Sequence, residues 1–494
     1  GIGSAVSNMA RFQVTLSLAE GLAEYESIGW DAESDMYMRD AVINGYLPPV
    51  NMLSGFLVYK GGQSILNYIE EKYGQPKIGE MLNEIRVRKN MEASLETAIG
   101  LDYDELTDNW HKYVKRKYWP DIEHRKEPEE IAKRLTNHTE GQYFLNNSPA
   151  LSPRGDRMVY LSNRMDFIDI YLKNTLNGED IGRLVKGERS DLFEEMHWLR
   201  PGISWSPSGN MIVFAAKSKG KDALYILDIE TREVVGNHSF DLDAVFAPSW
   251  SPDSSSIVFM GSRGAQSDLY LFHLESETLT RLTNDIFSDL DPVWSPDSKE
   301  IAFVSDRGEI LDPSISGLPM QNLDYHQTDL YTINLETKVI TRHTNDRFNQ
   351  TSPAYSPEGT TIAYISDESG IANIYMYDRQ TQESHAVTNL LTGVSQISWS
   401  KEGSRLAFSS FFNGGYDIYM LTNPLELIEE NIEPQKTVFA ASLTEQDTME
   451  TDLAVADNDE KTQTGGSRQY RNYIFGKGKI RKQQQKEEFF PDSS

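Results

Sequence analysis

The feature that most constrains this chain is a run of near-copies between Ser148 and Leu421. The clearest unit is Asp291-Pro-Val-Trp-Ser-Pro-Asp-Ser-Lys-Glu-Ile-Ala-Phe-Val-Ser305. It returns as Ala247-Pro-Ser-Trp-Ser-Pro-Asp-Ser-Ser-Ser-Ile-Val-Phe259 and Ser352-Pro-Ala-Tyr-Ser-Pro-Glu-Gly-Thr-Thr-Ile-Ala-Tyr364, with weaker copies from Ser148, Ile203 and Ile397. A unit that recurs in this way buries its apolar face against neighbouring copies, so the repeat governs every local reading. The serine of the Ser-Pro turn falls at 152, 206, 251, 295 and 356, and Ser400 is followed by Lys401 in place of proline. The spacings are 54, 45, 44, 61 and 44 residues. A period of about 44 fits four short strands and their turns.

The strands within a copy can be named. Ile203-Ser-Trp-Ser is a short first strand, stopped by Pro207, which has no N–H for a ladder, and by Ser208-Gly209. Ile301-Ala-Phe-Val, β-branched and aromatic, is the second. The third carries its own signature: Asp169-Ile-Tyr171, Asp268-Leu-Tyr270, Asp329-Leu-Tyr331, Asn373-Ile-Tyr375 and Asp417-Ile-Tyr419, with Ala223-Leu-Tyr225 as the variant. The fourth is Leu279-Thr-Arg-Leu-Thr283, repeated as Ile340-Thr-Arg-His-Thr344 and more loosely as His385-Ala-Val-Thr388. Four strands in each of six units predict a mainly β chain whose centre is a six-bladed β-propeller.

These motifs resemble the TolB-like propeller repeat, also called the WD40-like or PD40 repeat, over roughly 280 residues. Such domains are, by that resemblance, protein-interaction modules, and the Trp, Tyr and Asp of the motifs are expected to pack and pin blades rather than to catalyse. The sixth copy ends after Asp417-Ile-Tyr-Met-Leu421 without a fourth strand, whereas Ala132-Lys-Arg-Leu-Thr-Asn137 matches Thr280-Arg-Leu-Thr-Asn284. A strand within 131–137 is therefore expected to complete the last blade and remove the open edges.

The formal charge of −28, from 75 acidic and 47 basic residues, makes a nucleic-acid partner improbable. No run of 18 apolar residues is present, so no transmembrane segment is expected. With no cysteine, disulfides and thiolate metal sites are excluded, and an oxidising compartment is tolerated. Gly1 to Gln13 lacks the features of a signal peptide, and the expectation is a sequence that begins inside a longer protein.

Residues 1–125 read as an α-helical part. Ile65, Ile69 and Tyr73 lie at helical spacing with Gly74 as a stop, Ile78, Met81, Leu82 and Ile85 repeat the pattern, and Leu106, Trp110 and Tyr113 share a face of a third helix. Leu18-Ala-Glu-Gly-Leu-Ala-Glu-Tyr25 is similar to the Asn-Glu-Gly-Phe-Ala string of gluzincin metallopeptidases, the peptidase MA group, and Val58-Tyr-Lys-Gly-Gly62 to their Tyr-x-Lys-Gly-Ala segment. The resemblance implies Glu20 as a zinc ligand and Tyr59 as an oxyanion donor. A catalytic zinc takes three protein ligands and keeps one position for water. The family's His-Glu-x-x-His occurs nowhere among the nine histidines. It either precedes Gly1 in an intact zinc enzyme or was lost with the scaffold kept. For this chain alone neither bound zinc nor hydrolysis is expected. Glu20 has an alternative reading as a helix-start carboxylate, and Tyr59 as a core aromatic.

Two insertions enlarge the ring, Gly308 to Thr328 and Gly187 to Gly202. They connect second to third strands and fourth to first strands, which emerge on one face, so both are expected at one mouth of the central channel. Rim candidates are His197, Trp198, Asp312, Tyr325 and His326. The propeller is assigned 126–424, and 425–494, acidic and then basic, is expected to be a largely disordered tail. The reading is a periplasmic or secreted propeller that binds protein or peptide partners, attached to a truncated peptidase-like part. The alternative is a fragment of a zinc metallopeptidase whose propeller gates or recruits protein substrates.

Overall fold

The structure is a computed structural model and describes residues 15–443 apart from 28, 142, 189, 191, 199, 201, 265, 316–324 and 326. The described residues divide into two compact units, one of 15–31 and 49–107, the other of 32–48 and 108–443. A single cut at 125 thus does not follow the packing: part of the expected helical segment belongs with the propeller.

The described part of the first unit is helical: α1 (Leu16–Ser27), then α3 (Leu57–Tyr73), α4 (Pro76–Arg88) and α5 (Met91–Ile99), with α2 (Ala32–Ile43) in the other unit. Helix α3 ends where Gly74 adopts a φ of 92° and returns its N–H to Glu70. Asn90 caps α5 by accepting from the Ala93 N–H at 3.0 Å. Ile65, Leu66, Ile69, Met81, Ile85 and Leu95 form the apolar interior. Helices α1 and α3 cross at glycine. A Cβ on Gly21 would overlap the Gly62 backbone, and one on Gly62 would overlap the Ser17 carbonyl.

The second unit holds six four-stranded antiparallel sheets. Blades 1 to 5 span 146–185, 203–239, 244–281, 289–342 and 350–386, and blade 6 spans 394–422. The fourth strand of blade 6 is Lys133–Arg134, which pairs antiparallel with Gly415–Thr422 as Lys133↔Met420 and Arg134↔Tyr419. The ring is thereby closed by chain from ahead of the first blade.

One cross-strand aromatic pair recurs in every blade, second strand against third. Tyr160–Tyr171, Phe214–Tyr225, Phe259–Tyr270, Phe303–Tyr331, Tyr364–Tyr375 and Phe408–Tyr419 have ring centroids 5.9, 5.7, 5.8, 5.7, 5.8 and 5.7 Å apart. Such opposed rings bury large areas and fix the register of the pair. Alternate residues of each second strand serve different neighbours. Ile301 and Phe303 pack towards blade 3, while Ala302 joins the cluster shared with blade 5. An apolar cluster fills each of the six gaps between blades, including that between blades 6 and 1. Strands sandwiched on both sides read as continuous apolar runs for this reason.

The Asp of the third-strand signature ties the outer part of each blade together. Asp169 accepts from the Gly187 N–H at 2.8 Å and lies 2.9 Å from Arg183. Asn373 accepts from Thr388 and from the Leu390 N–H, both at 2.9 Å. Asp417 does the same across the closure, accepting from Thr136 at 3.0 Å and Asn146 at 2.8 Å. These side chains, carboxylates in blades 1 and 6 and the Asn373 amide in blade 5, are structural pins. In blade 2, where Ala223 stands at this position, Asp222 instead accepts from the Val245 N–H at 3.0 Å.

Beyond blade 6, Pro424–Glu430 forms a 3-10 turn and the following chain returns to the ring. Ile432 bridges to Ala386, the Thr437 N–H donates to Ser369 at 2.8 Å, and Ala440 is fully buried. The start of the expected tail is thus part of the folded unit; residues 444–494 lie outside the described residues.

Candidate binding site in the axial channel

The innermost strands surround a cavity of about 860 Å³. Each carries the sequence X-Pro or X-Ile ahead of its Trp, Tyr or Leu, and in five blades X adopts a left-handed backbone: Ser148, Ala247, Asp291, Ser352 and Gln396, with φ between 47° and 62°. The pairing register shifts at the same five places. These are bulges, where a proline lacking an N–H breaks no ladder bond. Non-glycine residues in this region are strained, and the ring holds them by bonds between blades. Asp291 accepts from the Ser352 N–H at 3.1 Å, Ser352 from the Ile397 N–H at 2.9 Å, and Gln396 from the Ser148 N–H at 2.6 Å.

One end of the channel is partly walled by α2, which contributes Ala32, Glu33 and Met36. Asp40 seats the helix by accepting from the N–H groups of Asn413 and Gly414, at 2.8 and 2.9 Å, on the turn between the second and third strands of blade 6. Tyr37 packs edge-on against Phe411 with centroids 4.7 Å apart, and its hydroxyl meets that of Tyr416 at 3.0 Å. Behind it, Arg39 is buried with Asp35 and lies 2.8 Å from Asp121. The buried charges of α2 are all bonded, Asp35 to Arg39 and Tyr118 and Asp40 to backbone N–H groups, which lets a helix of low apolar content sit there.

The opposite end is lined by the turns between first and second strands. Pro153, Pro207, Pro252, Pro296 and Pro357 occupy one position of five blades, and Lys401 occupies it in the sixth. Five charged side chains reach the cavity: Glu33, Arg200, Asp291, Asp367 and Lys401. Burial pushes the Asp291 carboxyl up, opposed by the Ser352 N–H and the charge of Arg200. Asp367, likewise raised by burial, accepts from the Asn349 N–H at 2.7 Å. The Lys401 ammonium is lowered by desolvation, with no carboxylate opposing the shift. Solvent reaches its side chain at the mouth while the channel wall crowds it from the sides.

The residues singled out from the sequence are placed as follows. His197 is buried, with its ring against Phe246 at 4.8 Å and Nε2 3.0 Å from Asp222, off the line of a hydrogen bond. Trp198 packs on the core between blades 1 and 2, and its carbonyl accepts from Asn147 at 3.2 Å. Asp312 is exposed and closes a local turn onto the Ser314 N–H at 3.0 Å. Tyr325 lines a second cavity of about 430 Å³ with Arg200 and Asp306, so the two insertions meet on one face. His326 lies outside the described residues. Arg200, Asp291, Lys401 and α2 were not singled out, although the Lys401 departure from Ser-Pro is plain in the repeat.

Glu20 is half-buried on α1, and Tyr59 is 42% exposed in the first turn of α3. The Gly21–Gly62 crossing joins the two helices that carry them, and Lys60 bridges to Glu24 at 2.8 Å. A catalytic zinc does not fit the donors present: among the described residues the one grouping of three potential ligands is Asp268, Asp285 and Asp289, far along the chain in blades 3 and 4. There the Arg307 guanidinium already bridges Asp285 and Asp289 at 3.2 and 2.6 Å.

Residues 195–312 match the family profile described as PD40, TolB beta propeller domain. The ring carries a TolB-like repeat. Among solved structures, the chain is similar to a TolB-type protein of Agrobacterium tumefaciens, at 18% identity over 56% of this chain and 90% of that one, with a TM-score of 0.40. It is similar also to TolB of Acinetobacter baumannii, at 19% identity over 65% and 70%, with a TM-score of 0.39. A curated relative, "Uncharacterized peptidase YuxL" of Bacillus subtilis (strain 168), is 27% identical over 99 residues, 20% of this chain and 15% of that protein. The chain therefore spans a small part of the length of that relative. Among the described residues no helix is long and apolar enough to cross a membrane.

Proposed function

We propose that this chain is a binding ring for protein or peptide partners, joined in sequence to a helical unit of peptidase-like descent and not itself hydrolytic. The observation that supports it is the use of the signature residues. The Asp and Tyr side chains of the third-strand signature are committed to pins and cross-strand pairs, while an open axial cavity of about 860 Å³ is left lined by Pro, Trp and strained backbone. A rigid scaffold with a preformed concavity is suited to recognition. A periplasmic or secreted setting, with no nucleic-acid partner, accords with the TolB-like repeat and the charge of −28.

The test is photo-crosslinking in extracts of the producing organism, with p-benzoylphenylalanine at Pro252 in the channel mouth or at Val339 on an outer strand. Discrete protein adducts from position 252, absent from 339, are expected. Identical adduct patterns, or none from 252, would count against the reading.

A second reading, descent from a zinc metallopeptidase, is favoured by the glycine crossing that joins the helices of Glu20 and Tyr59. On that reading zinc belongs to the intact protein, and the propeller gates or recruits substrates. This chain alone is expected to retain no stoichiometric zinc after dialysis. Tight one-to-one zinc by elemental analysis would show that a ligand set has been overlooked.

A further inference from the structure

We propose that the channel mouth at Lys401 binds a single carboxylate carried on an apolar body. The inference deepens the reading of the ring as a binding module and rests on it. The sixfold repeat supplies an internal reference, since five blades place proline at this position and blade 6 places lysine. Of the charges lining the cavity, Asp291 accepts from the Ser352 N–H and feels the charge of Arg200, and Asp367 is bonded to Asn349. Glu33 acts on the hydroxyls of Tyr37 and Tyr416. Lys401 lines the cavity and has neither a hydrogen bond nor an ion pair among the described residues. An exposed ammonium at the mouth of an apolar cavity, with no carboxylate of its own, is placed to make a charge-assisted bond to an incoming anion whose body enters the channel.

The class of anion follows from the surroundings. Glu33, Asp291 and Asp367 share the cavity, and the chain carries a charge of −28, so a dianion such as phosphate is disfavoured where one ammonium can balance one charge. Trp205, Trp250, Pro252, Pro296 and Tyr355 line the same space and offer apolar faces to the body behind the carboxylate. Two sources share this chemistry, the C-terminus of an extended chain and a free organic acid. Helix α2 partly walls the other end, which favours entry from the Lys401 mouth.

The experiment uses the full chain with three probes: 4-phenylbutyrate, the peptide Ala-Pro-Ala-Phe with a free C-terminus, and the same peptide amidated. Binding is read by tryptophan fluorescence and by protection of Lys401 from N-acetoxysuccinimide, mapped by mass spectrometry. The expected result is that at least one free-acid probe binds and protects Lys401, and that Lys401→Met weakens it by about tenfold or more, as loss of a charge-assisted bond implies. Lys299→Met, at an exposed lysine, serves as the control. Thermal melting checks that Lys401→Met and Lys401→Pro remain folded.

Binding of the free peptide but not the amide assigns a chain terminus. Binding of 4-phenylbutyrate alone assigns a small acid and leaves the carboxylate site standing, while the protein-partner reading is decided by its own crosslinks. Equal affinity in Lys401→Met, equal binding of the amidated peptide, or no protection by either acid in the millimolar range would overturn the proposal.

Discussion

Asp417 in the third strand of the last blade accepts the His138 N–H at 2.9 Å and lies 2.7 Å from His138 Nδ1, joining two residues 279 apart in sequence. Arg134 adds an ion pair at 2.5 Å, and the same carboxylate reaches Thr136 and Asn146. One side chain thus gathers the closing strand, the start of blade 1 and the end of blade 6. Replacing it with alanine leaves the His138 N–H and the Asn146 amide without this acceptor and takes from Arg134 its buried partner, Glu129 and the Thr136 carbonyl remaining. The expected loss is about 3–5 kcal/mol, the range for breaking a buried pair from one side. Urea unfolding of Asp417→Ala checks this, and a loss under roughly 1 kcal/mol would show that the closure does not depend on the pin.

The aromatic pairs should behave as core elements. Phe303 is fully buried opposite Tyr331, so Phe303→Ala removes a large side chain from the gap between blades 3 and 4. A destabilisation of about 3–5 kcal/mol is expected by chemical denaturation. A near-neutral outcome would mean that the blades pack through other contacts.

Gly62→Ala should damage the helical unit selectively, because its Cβ would enter the Ser17 carbonyl. Backbone shifts of this kind cost about 1–3 kcal/mol or more. Hydrogen exchange is the suitable measurement: faster exchange in α1 and α3 with unchanged protection in blades 2 to 5. Unchanged exchange in both helices would contradict the close crossing.

Much of this arrangement was legible because the repeat is periodic. The Ser-Pro turn and the Asp-Leu-Tyr string recur in phase, and the number of blades follows from counting them. Helix α2 was not legible for a physical reason. Glu33, Asp35, Arg39 and Asp40 look like a solvated face, yet Asp35, Arg39 and Asp40 are fully buried and paired with groups distant in sequence. The Asp35–Arg39 pair is local, but the bonds from Asp35 to Tyr118, from Arg39 to Asp121 and from Asp40 to Asn413 span long separations and leave no local pattern. His197 misled in the opposite sense, since an insertion histidine suggests an exposed rim and this one is buried against Phe246. Lys401 was visible as a departure from the repeat, but its lack of a partner is a property of the assembled ring.

The acidic group in blades 3 and 4 should leave a signature in the pH dependence of stability. Asp285 is pushed up to about 7, by burial first and then by the Asp289 charge, with Arg307 opposing; Asp306 and Asp268 are pushed up to about 6, mainly by burial. An unfolded aspartate ionises near about 4. Between roughly pH 4 and 7 the folded chain therefore holds protons that the unfolded chain has lost, and this contribution to stability declines as pH rises through that window. Asp417 has the opposite sign. Burial works to raise it, but the hydrogen bonds from His138 and Arg134 hold it below the usual value, so its contribution is present above about pH 4 and is lost in acid. Asp285→Asn should gain stability relative to the unsubstituted chain as pH rises from about 5 to 8. Melting curves across that range decide it, and a constant or shrinking advantage would refute the assignment.

The most direct test of the ring itself uses the absence of cysteine from the chain. Lys133 and Met420 are paired across the antiparallel closure, a separation that a disulfide can span. Lys133→Cys with Met420→Cys should oxidise to a single intramolecular disulfide in the native protein and raise its melting temperature, whereas Lys133→Cys with Val339→Cys should not. Failure of the first pair to cross-link, or equal cross-linking of the second, would contradict a six-bladed ring closed by Lys133–Arg134.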